Sequence, residues 1–469
     1  MKTRFKRHYI LLMPGLLGLA FSLSNCTKIL EVPKPPNEIQ ISEAFADSAS
    51  ATGTVTGIYA EEINNTDFEW GGLTLNTSKS ADDIQKSTAD AFQLNTLSSA
   101  EAGISNMWAN PYKTLLTINT ALEGLKASTH LSSTVKNHLQ GECYFSRAFI
   151  NFYLVNLWGN AAPMILTSNF VENNGAASTR SATAYAQIVS DLKQAQLLMT
   201  NAYPTVNHAR PNLQAVNALL ARVYLYTGKY TDAVTQASAV IGSGLYTLPA
   251  PDVAFLATSN ETIWCIQPNS PYYPGVTPDG NTFPPLFSFI APSHTLTTSL
   301  ADAFETGDLR KTNWTKTSTV SKVAYTYPYK YKKNNFNRVA AAENYVMLRL
   351  AEQYLIRAEA YCRLGDFAEA VTDLNVVRTR AGLSALSAPS TTAACMALIE
   401  QECRVEFFAE WGHRWFDLKR WPATDGGNTT RADQVLSALK PTWQSFQKLY
   451  PVPRQQLIYD RNLIQNPGY

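Results

Sequence analysis

Ala221-Arg222-Val223-Tyr224-Leu225-Tyr226-Thr227-Gly228-Lys229-Tyr230-Thr231-Asp232-Ala233 lies without a gap over Ala358-Glu359-Ala360-Tyr361-Cys362-Arg363-Leu364-Gly365-Asp366-Phe367-Ala368-Glu369-Ala370. Small, aromatic, glycine, aromatic and small residues recur at the same offsets, so each copy reads as a helix, a tight turn and a second helix. Gly228 and Gly365 supply the left-handed backbone that ends a helix without a Cβ clash. Ala221 with Ala233, and Ala358 with Ala370, leave room for two antiparallel helices to approach closely. The copies stand 137 positions apart, which excludes a regular tandem array.

The hairpins resemble tetratricopeptide (TPR) packing, and the expected fold is all-α. It is a scaffold of TPR-like helical hairpins with a loop-rich ligand face and a few short strands. Segments 42–59, 109–126 and 133–157 also read as amphipathic helices, with Asn119 and Arg147 set among apolar neighbours. Between the copies the character changes. Seven prolines fall within residues 268–292, which excludes long helices and central strands there. Residues 264–336 hold 13 aromatics in 73 positions, well above the 11% of the whole chain. A proline-stiffened, aromatic-rich excursion from a helical scaffold is where a binding surface is expected. Tyr325, Tyr327, Tyr329 and Tyr331 alternate and would share one face of a strand, a ladder better suited to packing than to ligand contact.

The N-terminus carries an address. Lys2, Arg4, Lys6 and Arg7 precede an apolar run from Ile10 to Leu23 that is too short to span a bilayer and reads as a secretory signal over residues 1–25. Leu23-Ser24-Asn25-Cys26 resembles a bacterial lipobox, which makes Cys26 the expected lipidated residue. Residues 26–40, with Val32-Pro33-Lys34-Pro35-Pro36-Asn37, read as a semi-extended tether. The four basic residues of the signal account for the formal charge of +2, because 35 Lys and Arg then face 37 Asp and Glu. No basic patch remains, so nucleic-acid binding is not expected. The five cysteines beyond Cys26 include no CxxC pair, and none of the six histidines stands in a metal-ligand spacing. Neither a metal nor a cofactor is expected. Cys395 and Cys403, on one helix, would lie about 12 Å apart and out of bonding range.

The C-terminal third carries a more specific likeness. Tyr345-Val346-Met347-Leu348-Arg349-Leu350-Ala351-Glu352 runs into Tyr354-Leu355-Ile356-Arg357-Ala358-Glu359-Ala360. Glu402-Cys403-Arg404-Val405-Glu406-Phe407-Phe408 follows, then Gly412-His413-Arg414-Trp415-Phe416-Asp417-Leu418-Lys419-Arg420-Trp421. Tyr450-Pro451-Val452-Pro453 and Asn466-Pro467-Gly468-Tyr469 close the chain. With Trp158-Gly159, Pro163 and Gly307-Asp308 upstream, these motifs resemble the RagB/SusD family of outer-membrane nutrient-binding lipoproteins. The likeness implies a protein that captures oligosaccharides, or in some members peptides. It also implies a SusC-like TonB-dependent outer-membrane barrel as partner, a lipid anchor in the outer membrane and exposure at the cell exterior. The chain is divided on this basis into an N-terminal helical region over 41–250 and a C-terminal region over 251–469.

Sugar rings are held by flat aromatic faces, with polar side chains meeting the hydroxyls. Trp70, Tyr272, Tyr273, Phe283 and Trp314 are the candidate platforms, each set among loop-forming residues, and Asp82 and Asp83 are the candidate polar contacts. The rival reading is a surface glycoside hydrolase with Glu402 and Glu406, one helical turn apart, as its carboxyl pair. Glu402, Glu406 and Glu410 also fall at i, i+4 and i+8 among cations, which is the pattern of an ion network that fixes helix packing. No catalytic residue is expected on that ground. A third reading is a protein that holds only a partner and touches no small ligand.

Overall fold

The computed structural model describes residues 41–469 apart from 269, 271 and 337–340. Cys26, the signal segment 1–25 and the tether 26–40 lie outside the described residues. The main helices are α1 (Ser48–Asn64), α2 (Gly72–Ser80), α3 (Ala102–Ala127), α4 (Ser133–Trp158), α5 (Ser181–Leu198), α6 (Leu213–Tyr226) and α7 (Tyr230–Ile241). They continue as α8 (Leu350–Leu364), α9 (Phe367–Arg380), α10 (Thr392–Phe407) and α11 (His413–Arg420).

Both expected hairpins form. Gly228 turns at φ +71° between α6 and α7, and Gly365 at φ +92° between α8 and α9. The closing hydrogen bonds match between copies. Gly228 N–H donates to the Leu225 carbonyl and Lys229 N–H to that of Tyr224, as Gly365 does to Cys362 and Asp366 to Tyr361. Ala221, Ala233, Ala358 and Ala370 are all fully buried at the helix crossings. The gap of 137 positions is bridged in space, because α7 packs directly on α8. Helices α3 to α9 therefore stack in chain order, each on the next, and the segment between α7 and α8 is carried out of the stack.

Three two-stranded antiparallel sheets complete the described fold. β1 (Ile84–Lys86) pairs with β3 (His294–Leu296), β2 (Thr262–Ile266) with β6 (Tyr345–Arg349), and β4 (Thr315–Val320) with β5 (Val323–Pro328). β2 and β6 are buried along their whole length, as the apolar runs 263–266 and 345–348 within them require, and Arg349 at the end of β6 is buried in the ion network. One apolar cluster extends from Phe45 to Val452 and takes in both halves of the chain. The tyrosine ladder belongs to packing: Tyr327 and Tyr331 are buried, and strand β5 ends at Pro328 before the alternation is complete. Arg147 is paired with Asp191 at 2.7 Å and donates to the Asn119 side chain, which explains two polar groups inside an apolar stretch.

Candidate functional site

The turn after α1 builds the site. Phe68 and Trp70 N–H groups both donate to the Asn65 carbonyl, folding residues 65–70 into a tight bend. Gly71 then takes φ +94°, and a Cβ there would stand 2.7 Å from the Pro278 Cβ. Only glycine lets the α2 entry and the proline-rich segment meet at that distance. The bend presents Trp70, half-buried, at the edge of a cleft of about 460 Å³. Tyr345 of β6 supports the indole edge-to-face, and its hydroxyl lies 2.9 Å from Thr74 Oγ1 and 3.3 Å from Asp279 Oδ1.

The cleft is mixed in character. Asn76 and Lys79 enter from α2, Asp90 and Phe92 from the segment after β1, Glu101 from just before α3, and Pro278 and Thr282 from the proline-rich segment. Lys79 Nζ lies 2.6 Å from Asp90 Oδ2 and 5.1 Å above the Phe92 ring. Burial lowers the Lys79 ammonium below its usual range. Burial also pulls the Asp90 carboxyl upward, but hydrogen bonds from Lys79 and the Gln93 N–H outweigh it and leave that carboxyl below its usual range. An aromatic platform beside a rigid ion pair and an amide suits a ligand with apolar C–H faces and many hydroxyls.

Tyr272 is 85% exposed and Tyr273 45% on the proline-rich segment. The same segment exposes Phe287 and Phe289, whose rings stack parallel at 5.4 Å, with Phe336 5.5 Å from Phe287. Sequence reasoning passed over these three phenylalanines. Their signal lay in the aromatic density of residues 264–336, which does not distinguish an exposed ring from a packed one.

Other expected contacts are corrected by the structure. Trp314 is fully buried, its indole N–H donates to the Pro251 carbonyl at 2.6 Å, and Lys330 and Arg380 lie 4.7 and 5.1 Å from its ring. Phe283 is buried edge-on to His294 and offers no face to solvent. Asp83 is buried with Arg404 3.6 Å away, and the Asp82 and Asp83 carbonyls take the Thr297 hydroxyl and N–H. The two aspartates stitch β1 to the segment after β3, so neither lines the cleft.

Glu402 and Glu406 are likewise unsuited to hydrolysis. Both are buried, and Arg310 Nη1 lies 2.5 Å from Glu402 and 2.9 Å from Glu406. Arg349 reaches Glu406 at 2.5 Å, Glu261 at 2.8 Å and Glu410 at 2.8 Å, and Arg380 also pairs with Glu406. Burial would raise the Glu406 carboxyl, but Arg380, Arg349 and Arg310 together hold it well below the usual range. The spacing of these acids produces a closed ion network with no ligand access. His413 stacks on Phe407 at 4.5 Å, and burial holds it neutral. Among the described residues no group of three or more His, Cys, Asp and Glu side chains stands ready for a metal ion.

Comparison with known proteins agrees with this architecture. A family model described as "SusD family" matches residues 272–469, and one described as "Starch-binding associating with outer membrane" matches residues 34–225. The chain is 25% identical to SusD-like protein P2 of Formosa agariphila, over 99% of this chain and 100% of that protein. A crystal structure of a SusD superfamily protein from Bacteroides vulgatus superposes with a TM-score of 0.76 at 19% identity, covering 90% of this chain and 99% of that one. A structure described as a laminarin binding SusD-like protein superposes with a TM-score of 0.72 at 21% identity, again covering 90% and 99%.

Proposed function

The chain belongs to the SusD/RagB family, and from that premise we propose that it is a non-catalytic carbohydrate-binding protein of the outer membrane, using the Trp70 cleft as its glycan site. The observation that carries the reading is the exposed part of the Trp70 indole, braced from behind by Tyr345 and flanked by the Lys79–Asp90 pair. In this proposal Tyr272 and Tyr273, exposed on the proline-rich segment that also supplies Pro278 and Thr282 to the cleft, add further aromatic surface for the ligand. The starch-binding description of the matching family model and the laminarin-binding neighbour are consistent with a glucan as ligand.

Delivery completes the proposal. Cys26 carries the lipid, the tether 26–40 holds the body at the outer surface, and a SusC-like TonB-dependent barrel receives the captured oligosaccharide. Among the described residues no helix is long and apolar enough to cross a membrane; in this proposal the acyl chains on Cys26 hold the protein at the membrane. The Phe287, Phe289 and Phe336 cluster favours a second reading, a peptide ligand with apolar side chains, because these rings carry no polar tip for hydroxyls.

The test is a panel of soluble starch, laminarin and a mixed peptide pool against the purified protein, read by tryptophan fluorescence. Reducing ends are assayed in parallel. Saturable binding of a glucan without product release supports the proposal. Binding of peptides alone transfers the site to the second reading, and multi-turnover release of reducing ends rejects a non-catalytic role.

A further inference from the structure

A second cleft, of about 410 Å³, lies on another stretch of α3, beyond the Glu101 and Gly103 end that borders the Trp70 cleft. Its floor is rigid. Trp108 packs edge-on to Trp158 at 5.1 Å, and the Tyr112 hydroxyl donates to the Pro163 carbonyl at 3.0 Å. Its walls are bare aromatic rings: Phe170, on the short helix Phe170–Asn173, is 77% exposed, and Tyr459, ending the helix Arg454–Tyr459, is 76% exposed. Two large aromatic side chains left in water around a preformed hollow mark a binding surface.

We propose that this cleft is a second glycan site, which engages a further sugar unit of a polysaccharide already held at the Trp70 cleft. The inference rests on the carbohydrate-binding reading above. The polar groups at the rim select the ligand class. The Asn174 and Gln456 amides and the Lys113 ammonium line the cleft, and none has a side-chain hydrogen-bond or ion-pair partner among the described residues. An apolar protein face or an acyl chain laid over the rings would bury those groups unpaired, which is unfavourable. A sugar ring offers C–H faces to Phe170 and Tyr459, and hydroxyls to the two amides and the ammonium. Asp460 and Lys113, which both line the cleft, balance its charge, which suits an uncharged glycan.

Two sites on one rigid body change what the protein retains. A short oligosaccharide gains one contact, whereas a polymer that occupies both clefts gains the effective concentration of an intramolecular second event. The test compares wild type with the Phe170→Ala/Tyr459→Ala double variant and with Trp70→Ala. Affinities are measured for a soluble polysaccharide of the panel and for a short oligosaccharide cut from it, with thermal melting as a check on folding. The expected result is a polysaccharide affinity at least tenfold above that of the oligosaccharide in wild type, a ratio that falls toward one in the double variant. Residual polysaccharide binding by Trp70→Ala should disappear when the three changes are combined. An unchanged ratio in a folded double variant overturns the second site while leaving the Trp70 reading standing. Absence of binding to every glycan of the panel overturns both. Loss of a co-purifying membrane protein with unchanged polysaccharide affinity assigns the cleft to a protein partner and rejects the inference.

Discussion

Trp70 meets Tyr345 edge-to-face, with ring centroids 5.7 Å apart and planes inclined at 71°. The two residues are 275 positions apart in the chain, and the contact joins the turn after α1 to the buried strand β6. Tyr345 is itself held by Thr74 and Asp279, so the indole has little freedom before a ligand arrives. A platform fixed in advance loses little entropy on binding. Replacing Trp70 with Ala should weaken glycan binding about tenfold or more, which is the loss of about 1.4 kcal/mol or more of stacking. The melting temperature should move little, because the side chain is only half-buried. Titration calorimetry on the folded variant measures this, and full affinity without Trp70 would move the site elsewhere.

Tyr272 and Tyr273 test the proline-rich segment, which supplies Pro278 and Thr282 to the cleft. Both are exposed, so changing them together to Ala should leave melting unaltered and lower glycan affinity severalfold. Unchanged affinity would remove the proline-rich segment from the site.

The contrast between Trp70 and Trp314 shows what the sequence made legible. Both stand among polar, loop-forming neighbours, and local pattern cannot separate them. Trp314 is buried by Pro251, Lys330, Arg349 and Arg380, all distant in the chain, and such long-range cover has no local signature. The hairpins were legible because glycine and alanine are demanded by geometry inside each copy. The spacing of Glu402 and Glu406 likewise pointed to a network, since a helical face of acids needs cations opposite, whereas Glu410 stands beyond the end of α10 at Phe407 and joins the network from the turn rather than from the expected helical face. The second cleft was hidden for the converse reason. Trp108, Tyr112 and Leu116 fall at i, i+4 and i+8, and a core stripe has the same pattern.

That ion network should be costly to break. Arg310 is fully buried and serves Asp308, Glu402 and Glu406 at once. Arg310→Met leaves those acids without one of their shared cations and should destabilise the fold by about 3–5 kcal/mol. Urea unfolding followed by circular dichroism measures the shift, and a variant as stable as wild type would show that the neighbouring arginines suffice.

Glu69, next to Trp70, gives a pH prediction. Burial pushes its carboxyl up to about 8, and burial with the nearby Glu69 charge raises Glu62 as well. In the folded protein Glu69 keeps its proton between its unfolded value near 4.5 and about pH 8, where the unfolded chain has released it. Its contribution to stability is therefore largest below about 4.5 and declines as pH rises through that window. Glu69→Gln copies the protonated form. It should match wild type at pH 5 and melt at a higher temperature at pH 8. Lys330 and Lys440, lowered by burial to about 8, add stability as pH rises above that value in both proteins, so they cancel in the difference between variant and wild type, which reads Glu69 together with its coupling to Glu62. Parallel profiles for the two proteins would mean that Glu69 is ionised in the fold.

Two glycines with nearly the same backbone angle should respond differently to alanine. Gly365 sits at φ +92° with open space around its Cβ position, so Gly365→Ala meets only the left-handed backbone penalty, about 1–2 kcal/mol. Gly71 sits at φ +94°, but its Cβ would stand 2.7 Å from Pro278. Gly71→Ala therefore adds a steric term and must push the proline-rich wall away from Trp70. The expected outcome is a modest loss of stability with intact glycan binding for Gly365→Ala, and a larger loss of stability with weakened binding for Gly71→Ala. Chemical denaturation and calorimetry on the two variants decide it. Equal effects of the two changes would mean that the approach of Pro278 to the Trp70 turn does not shape the cleft.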